Sequence, residues 1–355
     1  LSLAKLDVFV IYGGRSAERD VSVTSAGSVV ACLDREKYNV YPVYIDESGV
    51  FSVGGRADGS LSEDALRMPS EGSISESVTK FLGCMASAEK PFAFPVLHGT
   101  FGEDGKIQGL FEMAGVPYSG CGVLGSSASM DKVVMKSVFA AAGIDQSEYI
   151  FFGREEYAAD FEDVLSRAAA LLPVYVKPAN LGSSVGISRA VNAEELKSAI
   201  ELALKYDRRV LVEREVVGRE VTMGVLGNHD IVCSACGEWC HDAEFFDYED
   251  KYLSGKTMIN IPVELDAQVY SRLCDMAAAA YKTLDCAGLC RADFFIGDDG
   301  SILINELNSM PGFSDHSMYP LLMQHAGLSY TALCDRLIQL GLERFDAARG
   351  LTYRR

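Results

Sequence analysis

No apolar run in this chain reaches the length of a membrane-spanning helix. Positive charge is scarce: 32 Lys and Arg stand against 50 Asp and Glu, for a formal charge of −18. Nucleic-acid binding needs a basic footprint, so that class of partner is removed. Internal repeats and low-complexity tracts are absent. A Walker A loop is missing too. Its nearest match, Ser254-Gly255-Lys256-Thr257, would need its first glycine at Asp250 and has no strand before it. Of the ten cysteines, Cys32, Cys274 and Cys334 sit singly in apolar contexts that suit buried free thiols. Cys233-x-x-Cys236-x-x-x-Cys240-His241 has metal-like spacing, but IVCSACG reads as a strand, where residues three apart face opposite ways. No second Cys or His pair follows at zinc-ribbon spacing, so no structural zinc is expected. The opening LSLAKLDVFVIYGG shows no cleavable-signal pattern, and a cytoplasmic protein with reduced thiols is expected.

The chain's 355 residues, 48% of them apolar, are enough for more than one core. Residues 6–14 read as a buried strand ending in two glycines, followed by a helix from about Ser16. A strand at 39–47, a helix near 76–88 and a strand at 92–99 continue the alternation, which predicts a parallel sheet covered by helices. Ligands bind such sheets at the carboxyl ends of strands, where Glu18 and His98 stand. Gly120-Cys-Gly122-Val-Leu-Gly125 spells a dinucleotide fingerprint, but it follows VPYSG rather than a buried strand, which argues against a Rossmann cofactor.

Residues 126–143 read as one helix ending at Gly143, and a second α/β segment follows. Its strand VYVKP ends on Lys177, and the loop ANLGSSVGIS offers glycine-flanked N–H groups, a combination suited to phosphate. Residues 210–227 read as two strands around Val217-Gly218, with Glu213 and Glu220 available to adenine and ribose. The aromatic, irregular stretch 238–260 has the character of a lid.

The densest chemistry is in RADFFIGDDGSILINELNSMPGFSDHSMYP, residues 291–320, which reads as a hairpin. If Ile296 pairs with Ser301, then Arg291 lies opposite Glu306, and Arg291, Asp293, Glu306 and Asn308 share one face. Phe294, Leu303 and Leu307 fall on the other. Oxygen ligands at that density suit Mg²⁺, while Ser-Met-Pro-Gly-Phe forms a turn able to cradle an oxyanion or carboxylate. An odd-length turn would put the acids on opposite faces.

GGRSAERDVSV, FPVLHGTFGEDGKIQG, MDK, VKPANLGSSVGIS, EFFDYEDKY and RADFF…NELNSMPGFSDHSMYP occur in that order over nearly the whole chain. Together they resemble the D-alanine–D-alanine ligase family, of the ATP-grasp type. The resemblance implies an α/β, ATP-grasp fold behind an N-terminal Rossmann-like parallel-sheet domain. Residues 1–125 would form the substrate domain. Residues 126–215 and 216–355 would form the central and C-terminal subdomains that clasp ATP, with the lid at 238–260. It implies ATP-dependent ligation of two D-alanines through an acyl phosphate, for peptidoglycan precursors. ATP and two Mg²⁺ ions, or Mn²⁺, would be required, and homodimers are common in the family.

Residue by residue, the resemblance implies that Glu18 holds the ammonium of the first D-alanine, with His98 near it. Lys132 and Lys177 would contact phosphates, and Glu213 and Glu220 would meet adenine and ribose. Asp293, Glu306 and Asn308 would hold the metals. Arg291 and the Gly312 backbone would stabilise the tetrahedral intermediate. Ser317 would bind the carboxylate of the second substrate, beside Met318. Lys251 and Tyr252 would belong to the closing loop, with Tyr252 linked to Ser183 and Glu18. Phe246 stands where many members have Tyr and resembles the D-alanine–D-serine branch, so D-serine is the alternative acceptor.

Overall fold

The computed structural model describes residues 5–182, 185–240 and 258–352. Its first sheet has the order β3-β2-β1-β4, with β1 (Leu6–Gly13) parallel to β2 (Tyr38–Ile45) and to β4 (Pro91–Pro95), and β3 (Phe51–Val53) antiparallel at the edge. Helices α1 (Arg19–Cys32), α2 (Glu63–Leu66) and α3 (Ile74–Ser87) accompany it. From Asp7 onward β1 is continuously buried, as expected for a parallel strand covered on both faces. Helix α3 starts where Ser73 and Glu76 form a reciprocal capping box.

After α4 (Lys106–Ala114), the single helix expected at 126–143 is two: α5 (Val123–Met130) and α6 (Lys132–Ala141). Asp131 breaks the run because its carboxylate accepts from the Val134 N–H, capping α6, and pairs with Arg209. The second sheet, β5-β8-β6-β7, is antiparallel: β5 (Tyr149–Gly153), β6 (Val174–Pro178), β7 (Ser188–Ala190) and β8 (Arg209–Arg214). Helices α7 (Arg154–Ala159), α8 (Phe161–Ala169) and α9 (Ala193–Tyr206) accompany it. The buried positions of α9, namely 196, 199, 200, 203 and 204, are the stripe of a helix lying on a sheet.

The third sheet, β11-β10-β9-β12-β13, contains β9 (Gly218–Gly227), β10 (Val232–Cys240), β11 (Met258–Asn260), β12 (Gly288–Gly297) and β13 (Ile302–Asn308). Helix α10 (Ala267–Thr283) packs on it, and α11 (Met318–His325) and α12 (Tyr330–Arg349) follow. Helix α12 packs into a core shared with the first sheet. Its Leu333, Leu337, Ile338 and Leu340 belong to the same core as Val8 and Val10 of β1 and Phe92 of β4. A bulge between Cys233 and Cys236 corrects the strand parity expected for that pair, and both join the core of the third sheet.

The β12–β13 register also differs from the expected one. Gly297 donates to the Ser301 carbonyl, so the connection has three residues, and Phe294 pairs with Ile304 rather than Leu303. Continued unbroken, that register would set Glu306 and Asn308 on the face opposite Asp293. A bulge at Asn305 restores the parity: Asp293 pairs with Glu306, and Arg291 with Asn308. The acids therefore share a face, while Phe294, Ile304 and Leu307 form the buried side and Leu303 is only half buried. Ile304→Ala is expected to cost about 2–5 kcal/mol, and Leu303→Ala clearly less, in urea unfolding. The reverse order would contradict this register.

Candidate active site

Four elements converge on the acidic face of the β12–β13 hairpin. Asp293 is nearly fully buried, and its two oxygens accept from Arg291 Nε at 2.8 Å and Nη2 at 2.7 Å, a bidentate pair. Thr222 of β9 adds a hydroxyl to Asp293 Oδ1 at 2.5 Å. The Arg291 guanidinium lies 5.3 Å from the centre of the Trp239 ring. Lys132, at the first turn of α6, reaches Glu306 at 3.3 Å and donates to the Leu181 carbonyl at 2.9 Å, joining the glycine-rich loop to the hairpin. Lys177, at the end of β6, donates to Glu213 at 2.7 Å and to the bulged Asn305 at 3.4 Å.

Glu213 was expected at adenine and ribose, but it is buried between two lysines, Lys177 and Lys136. Burial raises the Glu213 pKa, yet the two ammonium groups outweigh it and hold the carboxyl below its ordinary value. Burial pulls Lys177 down, but Glu213 more than compensates and its net shift is upward. For Lys136 burial wins, and its ammonium is held below the ordinary lysine value. Glu220 of β9, by contrast, is exposed.

The N-terminal sheet supplies the facing wall. Glu18 lies against Gly99 and Gly182, where an added Cβ would come within 2.4 Å and 3.2 Å of its Oε2. Glu103 is buried nearby and accepts from the Gly99 N–H at 2.7 Å. Burial, then the Glu18 charge, drives its carboxyl well above the usual range.

His98 links segments distant in the chain. Its Nδ1 is 3.0 Å from the Met310 carbonyl, which only accepts, so the proton sits there. Nε2, 2.9 Å from Ser25 Oγ, is then the acceptor, and Ser25 in turn accepts from the Phe313 N–H at 3.3 Å. The turn around Gly312 is thereby tied to α1 and β4. Met310 N–H on Asn308 Oδ1 at 3.1 Å and Ser314 N–H on Ser317 Oγ at 3.1 Å stiffen it on either side. Met318, expected beside the second substrate, is buried against Gly237 of β10. Ser183, Lys251, Tyr252 and Phe246 lie outside the described residues.

Residues 7–121 match the family described as D-ala D-ala ligase N-terminus, and residues 138–339 match its partner, D-ala D-ala ligase C-terminus. The chain belongs to the D-alanine–D-alanine ligase family. It is 43% identical to the D-alanine–D-alanine ligase of Bacillus cytotoxicus, with 99% of each chain covered. With that of Staphylococcus carnosus it shares 45%, over 96% of this chain and 97% of the relative. Among solved structures it resembles the Coxiella burnetii D-alanine–D-alanine ligase, with a TM-score of 0.81, 28% identity, and 98% and 97% covered. The Enterococcus faecalis D-Ala:D-Ser ligase gives 0.80 at 32% identity, with 95% and 100% covered. The expected ATP-grasp architecture is the one these ligases share.

Sequence reasoning for this ligase-family chain missed Lys136, Glu103, Thr222, Asn305 and Ser25. Lys136 carried a signal, standing one helical turn after Lys132 among apolar residues. Ser25 carried none, because its partners at 98 and 313 are distant in sequence.

Burial, partly offset by the Met310 carbonyl, lowers the His98 pKa to about 4 from an ordinary 6.5. The folded state therefore resists protonation that the unfolded chain accepts. Stability from this group is complete above pH ~6.5 and is lost as pH falls towards about 4, up to roughly 3 kcal/mol. Urea unfolding between pH 7 and 4 should show this slope in the wild type and a shallower one in His98→Gln. Equal slopes would contradict a buried neutral His98.

Proposed function

We propose that this chain joins two D-alanine molecules at the expense of ATP, releasing D-alanyl-D-alanine, ADP and phosphate for the peptidoglycan precursor. The observation that carries the proposal is the hairpin face bearing Arg291, Asp293, Glu306 and Asn308, flanked by Lys132 and Lys177. A carboxylate is a poor electrophile, and transfer of the γ-phosphoryl group makes it an acyl phosphate that an amine can attack.

Lys132 and Lys177 orient the phosphates, and Glu213 holds Lys177 and Lys136 in place. Glu220 receives the ribose. Asp293, Glu306 and Asn308 offer carboxylate and amide oxygens on one face, a hard donor set that fits two Mg²⁺ ions and equally Mn²⁺. Bound there, the metal supplies charge neutralisation for the moving phosphoryl group. Glu18 holds the ammonium of the first D-alanine. Glu103 stands beside it, its carboxyl raised well above the usual range by burial and the Glu18 charge. Arg291 and the Gly312 backbone support the oxyanion as the second amine attacks, and a donor in that role is worth on the order of 10²–10³ in rate. Ser317 positions the second carboxylate. The family resemblance assigns Lys251 and Tyr252 to keeping water from the acyl phosphate, with Tyr252 linked to Ser183 and Glu18. We also propose a homodimer in the cytoplasm, where ATP is supplied.

Phe246 makes D-serine the competing acceptor. The test is ATP- and Mg²⁺-dependent phosphate release with D-alanine alone and then with excess D-serine, the products identified by mass spectrometry. D-alanyl-D-alanine is expected to dominate in both. A dominant D-alanyl-D-serine product would overturn the acceptor assignment, and no phosphate release would overturn the function.

A further inference from the structure

Three buried thiols outside the active site converge from separate segments. Cys121 precedes α5, Cys286 lies in the loop after α10, and Cys290 is on β12. Their sulfur atoms all lie within 4.8 Å of one another, and Cys121 and Cys290 are 3.7 Å apart. With the ~2.3 Å zinc–thiolate bond as scale, three sulfurs in a plane around one ion stand roughly 4.0 Å apart. The spacing is therefore close to that of a coordinated set.

Buried cysteines commonly serve as small apolar groups, but here the surroundings are polar in a specific way. The Ala287 N–H points at Cys121 Sγ, 3.4 Å away, the kind of bond that supports a thiolate. The backbone is drawn tight around the cluster. An added Cβ at Gly288, whose φ is +75°, would sit 3.0 Å from Gly120 Cα, and one at Gly125 would sit 2.7 Å from the Asp285 carbonyl. Two of the three fingerprint glycines, Gly120 and Gly125, thus permit close packing beside the sulfurs, while Gly122 lies against Arg344.

We propose that Cys121, Cys286 and Cys290 form a trigonal thiolate site for one soft monovalent cation of the Cu(I) class. Sulfur ligands select soft ions. Zinc in structural sites takes four ligands, and among the described residues no His, Asp or Glu joins the three sulfurs. Binding would expel the thiol protons to solvent. It would also brace the segment before α5 against the strand that carries Arg291 and Asp293.

The test uses the reduced full-length protein, titrated anaerobically with Cu(I) against a chromogenic cuprous chelator. X-ray absorption then counts the sulfur neighbours. One tightly held ion with three sulfur neighbours is expected, with a rise in thermal midpoint. Retention should fall at least tenfold in Cys121→Ser, Cys286→Ser and Cys290→Ser, and should be unchanged in Cys274→Ser. The wild-type sulfur count needs no variant to fold. Failure to retain Cu(I), a two-sulfur environment, loss in Cys274→Ser alone, or tighter retention of Zn²⁺ in the same assay would each overturn the proposal.

Discussion

The single unpaired residue at Asn305 is the constraint on which the active face depends. The three-residue connection from Gly297 to Ser301 fixes a register that would bury Glu306 beneath the sheet. One bulge reverses the alternation, so Ile304 fills the core while Glu306 stands directly across from Asp293. Neither half of the hairpin is adjustable alone, because Phe294 and Leu307 are packed beneath it. Asn305 itself is turned to use as an acceptor for Lys177.

Around that face, charge is managed by pairing rather than by exposure. The chain is strongly acidic, yet the site gathers Lys132, Lys136, Lys177 and Arg291 among its carboxylates. Removing one partner of a buried pair typically costs 3–5 kcal/mol, because the other charge is left unsolvated. The Arg291–Asp293 and Lys177–Glu213 pairs are therefore fixed parts of the scaffold. His98 and Ser25 extend the arrangement without charge, tying the turn around Gly312 to the N-terminal sheet through neutral hydrogen bonds.

Much of the fold was legible because its signals are local. The continuous apolar β1 and the strand ending on Lys177 follow from periodicity and end residues alone. The four residues of the acidic face were legible as a set, although the pairing behind them was not. Turn length and bulge changed together, and two errors of parity cancelled. Asp131 also pairs with Arg209 of β8, a distant partner that residue type does not announce. The destination of α12 was hidden because an apolar stripe names a buried face, not the sheet it will meet. The burial of Glu213 and Met318 is likewise a tertiary fact that residue type does not carry.

The central claim is that the bulged hairpin places Glu306 in the active face as a charged group rather than as part of the fold. The direct measurement is the turnover of Glu306→Gln, a change that keeps shape and removes charge, read beside its thermal midpoint. Turnover is expected to fall by about a hundredfold or more with the midpoint little changed. Near-full activity in a folded variant would contradict the assignment of Glu306 to the site.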